Sequence, residues 1–139
     1  MRKILFRAKH YKTKQWVYGI PFRNPVNGLD NDGYYPQIIP EINKMHSTID
    51  RCCVIEETIS QYTGLTNNND TKIFEGDIIQ NVTEGKTAVV QWFSEYSAFM
   101  LWCKSENKVY WLYDNNFSNI EVIGNIYDNP ELLKDGESK

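Results

Sequence analysis

Reactive side chains are few and scattered in this 139-residue chain. The cysteines are Cys52, Cys53 and Cys103, and the histidines are His10 and His46. A structural zinc site takes four ligands, usually in pairs a few residues apart. Cys52 and Cys53 are adjacent, so they do not have that spacing, and a disulfide between them would strain the intervening peptide. Burial as small apolar side chains is the plainer role for the cysteines. A Ser or Cys nucleophile requires a base beside it and a third group to orient that base. The chain contains no Gly-x-Ser-x-Gly, no phosphate-binding glycine loop and no His-Glu-x-x-His. Glu75 and Asp77 flank Gly76 just ahead of an apolar run, which raises the question of a carboxylate pair doing acid–base work. Two carboxylates around one turn can point apart, and Asp77 is better suited to accept local amide bonds and hold the turn. The expectation is a non-enzyme with no catalytic residue, no metal and no cofactor.

Charge is more informative. Residues 1–23 hold Arg2, Lys3, Arg7, Lys9, Lys12, Lys14 and Arg23 and no acid, a net +7. Residues 24–139 carry a net −10, which leaves −3 overall. Phe6, Tyr11, Trp16, Tyr18 and Phe22 are interleaved with the cations. Cations that neutralise phosphates and rings that stack on bases are the ingredients of a nucleic-acid surface. The candidate surface is therefore Arg2, Lys3, Arg7, Lys9, Lys12 and Lys14, facing either nucleic acid or an acidic partner. The aromatics alternate as core strand residues do, and the acidic remainder repels phosphate. An acidic protein, such as a neighbouring copy, thus ranks first and nucleic acid second.

The elements that must carry these residues read mainly as strands. Residues 3–8 and 15–20 form a hairpin around a polar connection. Pro21, Pro25, Gly28, Gly33 and Pro36 mark residues 21–36 as loop. Ile38 to Pro40 is a short extended piece, and Ile42, Met45 and Ile49 have helix-like spacing. Cys52 to Ile55 and Thr58 to Thr63 are further strand candidates. Asn67 to Asp70 is a turn. Five strands follow, at residues 77–82, 86–93, 97–104, 108–113 and 120–123, joined by short polar turns. This pattern suits a small barrel or sandwich. Residues 89–93, 98–103 and 109–113 are apolar on both faces, so both faces must be covered, by the N-terminal strands or by a second subunit. Asn129 and Pro130 can cap and open a short C-terminal helix. The organisation expected is an N-terminal β region with long loops, 1–57, and a β-barrel with a C-terminal tail, 58–139. The opening residues lack the apolar length of a signal peptide. The longest apolar run, 98–103, is far short of the ~20 residues that span a bilayer. A cytoplasmic protein without a membrane partner is expected.

Three segments carry a resemblance. The stretch Ile120-Glu121-Val122-Ile123-Gly124-Asn125-Ile126-Tyr127-Asp128-Asn129-Pro130-Glu131-Leu132-Leu133 resembles the closing motif of the YopX family, proteins encoded mostly by phages and prophages. Gln61 to Leu65 with Ile73 to Ile79, and Ile4 to Ala8 with Trp16 to Gly19, resemble the same family. The match is collinear from residue 2 to about 133, with a variable middle at 21–57. The resemblance implies a mainly β protein with an N-terminal β part, a C-terminal SH3-like barrel and an oligomeric state. It implies no chemistry. One departure stands out: Lys9-His10 occupies the place where members commonly have a Trp-Asp pair. The resulting expectation is an oligomeric phage or prophage accessory protein that acts as a protein-interaction module with phage or host proteins in a bacterial cytoplasm. Nucleic-acid binding through the basic head is the alternative.

Overall fold

The computed structural model describes residues 2–25, 34–40, 52–112, 114 and 117–133. The helical spacing at 41–50, His46 and the tail from Lys134 lie outside the described residues. The chain divides into two compact units, Met1–Tyr62 and Thr63–Lys139.

The first unit is built from β1 (Phe6–Lys9), β2 (Trp16–Pro25), β3 (Tyr34–Pro40), β4 (Cys52–Cys53) and the start of β5 (Ser60–Thr66), in the antiparallel order β4-β3-β2-β1-β5. The β1–β2 hairpin forms as its alternation predicts, with Lys9 opposite Trp16 and Arg7 opposite Tyr18. Residues 21–25 and 34–36 are strand, not loop. The prolines mislead because they sit where a ladder tolerates them. In an antiparallel strand the N–H and C=O of one residue point the same way, and the direction alternates. Pro36 accepts from Val54 N–H, so its own nitrogen faces that side and is not required by β2. Arg23 lies opposite Pro36, which turns the nitrogens of Pro21 and Pro25 away from β3 as well.

The β4 end returns to β1. Tyr11 N–H donates to Cys53 O, Ile55 N–H donates to Lys9 O, and His10 bridges Val54. This curl encloses a small core of Ala8, Ile38 and Val54, with Val17 and Ile59 packed on it. The opposite face carries Arg7, Lys9, Trp16, Tyr18 and Ile20.

In the second unit, β6 (Lys72–Phe74) lies beside β5, followed by β7 (Asp77–Asn81), β8 (Thr87–Phe93), β9 (Ala98–Cys103), β10 (Lys108–Trp111) and β11 (Ile120–Asn125). The last five strands form one antiparallel sheet in the order β10-β9-β8-β7-β11. β10 and β11 are its edges, and no pairing between them closes the sheet among the described residues. One face supplies the core: Ile79, Ala88, Val90, Leu101, Cys103, Tyr110 and Ile120, joined by Ile73 and by Phe117 from the β10–β11 connection. On the other face Ile78, Val89 and Met100 are also buried, as the two-sided apolar pattern requires, whereas Trp111 is bare.

The entry into this sheet is a fixed point. Gly76 N–H donates to Val90 O at 2.8 Å, and Gly76 O accepts from Ile126 N–H at 2.9 Å. Its φ is +86°, and a Cβ there would meet Tyr127 Cε2 at 3.3 Å. Asp77, almost fully buried, accepts from Phe74 N–H through Oδ2 at 2.8 Å and so holds the turn. The closing segment is tied with equal density. Asn125 Oδ1 accepts from the amides of Tyr127 and Asp128, and Asn129 N–H donates to Asn125 O. Asn129 does not cap a helix. Its Oδ1 accepts from Asn125 N–H, and a single 3-10 turn, Pro130–Leu133, stands where a short helix was expected. A Cβ on Gly124 would lie 2.5 Å from that Oδ1, so glycine is required by close approach at a bulge within β11, not by a turn. Gly64, with φ +89°, lies within β5.

Two substitutions test this fixed point by urea unfolding. Gly76→Ala forces a left-handed backbone on a side chain, at a cost of roughly 1–2 kcal/mol before the Tyr127 contact is counted. Asp77→Ala leaves the Phe74 amide without its acceptor, at a cost of about 1–3 kcal/mol.

Candidate functional site

The cations of the basic head differ in exposure. Arg7 is only 6% exposed, and its guanidinium lies 4.3 Å from the centroid of the Trp16 ring. Lys9 Nζ lies over the same ring at 4.7 Å. Alternation places all three on one side of the hairpin, and pairing across the ladder brings them together. Cation–π attraction then holds both charges on the ring. Arg2 and Lys3 are exposed, in the segment ahead of β1. Lys12 and Lys14 are exposed in the turn between β1 and β2.

That turn is rigidly built. His10 N–H donates to Gln15 O, and Lys14 N–H donates to His10 O. His10 Nδ1 accepts from the amides of Lys12 at 3.1 Å and Thr13 at 3.3 Å. The imidazole thus does for this turn what a carboxylate does in an Asx turn. Lys14, with φ +61°, donates from Nζ to Tyr11 O at 2.6 Å and lies over the Tyr11 ring. Tyr11 itself is 61% exposed.

The densest group of titratable side chains is elsewhere, and the sequence reading missed it. Lys86 on the turn before β8 pairs with Glu106 at 2.9 Å and Glu84 at 3.5 Å. Glu106 also accepts from the Tyr110 hydroxyl, at 3.1 and 3.0 Å, and lies 3.5 Å from Cys103 Sγ. Lys86 Nζ sits over the Tyr110 and Phe117 rings. The hydrogen bond to Glu106 pushes the Lys86 ammonium up to about 12. The bonds from Lys86 and then Tyr110 hold the Glu106 carboxyl below its usual range. Desolvation, and then the bond to Glu106, raises the Tyr110 phenol. Each group is driven further from neutrality, whereas a general acid or base works best with a pKa near the operating pH. The cluster locks charges over the core edge and is poorly suited to moving protons.

The cysteines separate. Cys103 is fully buried, as expected of a small apolar side chain. Cys53 is exposed, with its sulfur 3.5 Å from Gln37 Nε2. Among the described residues no three His, Cys, Asp or Glu side chains are placed to hold a metal ion. Among the described residues no helix is long and apolar enough to cross a membrane.

A second feature lies at the end of the sheet formed by the β8–β9 hairpin and the end of β10. Tyr96, in the hairpin turn, is 50% exposed, and Trp111 is 55% exposed. Their rings meet edge-to-face at 5.8 Å, with Phe93 6.5 Å from Tyr96. On the other face of β8, Trp92 is 48% exposed against Phe99. Exposed rings grouped in this way are typical of contact surfaces.

The fold and this site define a two-unit antiparallel β protein whose most distinctive surface is aromatic. The chain belongs to the YopX family: the family model, described as YopX protein, matches residues 5–134. The crystal structure of protein EF1440 from Enterococcus faecalis is similar in fold, with a TM-score of 0.54 and 22% sequence identity, over 96% of this chain and 99% of that one. No curated protein matches the chain.

Two measurements test the local geometry. His10→Ala removes the acceptor for two turn amides and costs about 0.5–1.5 kcal/mol, whereas His10→Asp restores the acceptor and most of the stability. For Glu106, the lowered carboxyl stabilises the fold above its unfolded value of 4.5, and that support is lost as pH falls through the lower folded value. Lys86 stabilises below 10.5, and its support is lost as pH rises toward about 12. Unfolding midpoints of Glu106→Gln should therefore lie below wild type by a constant gap across neutral pH. The gap should narrow only below about 4.5 and above about 10.5.

Proposed function

We propose that this chain is a non-enzymatic, oligomeric accessory protein of phage or prophage origin, acting as a protein-interaction module in the cytoplasm of a bacterial host. The observation that carries this reading is the exposed Tyr96–Trp111 pair, with Phe93 beside it, at the uncovered end of β8–β10. Aromatic side chains bury large area at low entropic cost, and they dominate the energetics of protein contacts. The order β10-β9-β8-β7-β11 supports assigning the second unit to the SH3-like class, in which the fifth strand returns beside the first. That class hosts many contact modules, a fold-level analogy only. The locked Lys86–Glu106–Tyr110 cluster supports the non-enzymatic part.

Nucleic-acid binding has less behind it. Arg7 and Lys9 already lie over Trp16, so that ring and the Arg7 guanidinium would have to give up their packing to meet a base or a phosphate.

The test is retention of a purified partner. Host and phage proteins captured on immobilised wild-type protein are identified, purified and re-tested against wild type and Tyr96→Ser/Trp111→Ser. A partner bound by wild type and weakened at least tenfold by the double variant supports the reading. Equal binding to both proteins moves the function away from this end of the sheet. A low-salt mobility shift with DNA or RNA is expected to show no complex.

A further inference from the structure

The chain repeatedly places a cation over an aromatic ring. Arg7 and Lys9 cover Trp16, Lys14 covers Tyr11, and Lys86 covers Tyr110 and Phe117. Tyr96 and Trp111 are different. They are half exposed, and among the described residues no cation lies over either ring. The stretches that form this end, 91–103 and 109–112, contain Glu95 but no Lys or Arg. Glu95 sits beside Tyr96 in the hairpin turn and is exposed. An aromatic pair flanked by carboxylate, without a base of its own, is complementary to a cationic side chain.

The complement is present in the same chain. The β1–β2 turn projects Lys12 and Lys14 beside exposed Tyr11, within a stretch of 23 residues that has no acid. His10 holds that turn in one shape, so little order is lost when it docks. The Lys12 side chain makes no hydrogen bond or ion pair among the described residues.

We propose that the occupant of the Tyr96–Trp111 surface is the β1–β2 turn of a second copy of this chain, with Lys12 meeting the two rings and Glu95, and with Lys14, held over Tyr11, adding its charge beside it. This rests on the interaction-module reading and names the partner. The two surfaces differ, so the contact is head-to-tail, and repeating it yields a ring or an open chain of copies. Rising salt weakens it, because part of the attraction is between exposed charges.

Sedimentation velocity over a concentration series tests this with two exposed-site variants, Lys12→Glu/Lys14→Glu and Tyr96→Ser/Trp111→Ser, each checked for a wild-type circular dichroism spectrum. Wild type is expected to associate with concentration and to dissociate as sodium chloride is raised. Each variant alone is expected to be monomeric. Mixed together, they should form a one-to-one dimer and stop there, because each supplies the surface the other lacks. A wild-type protein that stays monomeric overturns the proposal. So does an oligomer that either variant leaves intact, or a mixture that does not pair. If wild type is monomeric yet still retains a purified partner that the Tyr96→Ser/Trp111→Ser variant loses, the self-docking fails while the interaction-module reading stands.

Discussion

Gly76 is the point on which the second unit depends. Its amide and carbonyl are both committed, one to β8 and the other to the segment that follows β11. A strand in the middle of the sheet and the end of the chain are thereby fastened through a single peptide group on each side. This requires a left-handed backbone and leaves no comfortable room for a side chain, conditions that only glycine meets without strain. Asp77 fixes the turn from within, and the Asn125–Asn129 bonds fix the segment that reaches back to it. The segment around Gly76 and the segment from Ile120 to Leu133 are therefore two halves of one fastening.

Because that fastening secures the β7–β11 side, the opposite end of the sheet is left with its rings in the open. The polar chemistry of the unit lies between these two regions. Lys86, Glu106 and Tyr110 hold each other in fixed protonation states over the core edge, which stiffens the β8–β9–β10 side without offering a proton donor or acceptor near neutrality. A stiff sheet end that presents Trp111 and Tyr96 is a better platform for contact than a flexible one, since less order remains to be lost on binding.

Much of the strand content was legible because alternation and turn chemistry are local. The β1–β2 hairpin, the Asn67 turn and all five strands of the second sheet follow from patterns within a few residues. The Asp77 turn was legible for the same reason. The prolines of β2 and β3 were misleading because proline is a loop signal in isolation. Its place in a ladder depends on which side the partner strand occupies, and a single sequence does not display that. β6 was missed because three residues carry no period. The basic head was visible as composition, but its division into ring-bound cations and a projecting turn is a product of pairing register. The Lys86–Glu106 pair joins residues twenty positions apart, and the Tyr96–Trp111 pair joins a turn to an edge strand. Neither has a local signature.

The most direct measurement of this arrangement is amide hydrogen exchange under native conditions, followed as a function of protein concentration. The amides of Gly76 and Ile126 should exchange only through global unfolding, with the free energy of global unfolding at each concentration. The amides of Tyr96, Trp111 and the 11–14 turn should exchange quickly in dilute solution and become protected as concentration rises. Early exchange at Gly76 or Ile126 would contradict the role of the fastening, and protection that does not respond to concentration at both surfaces would contradict their pairing between copies.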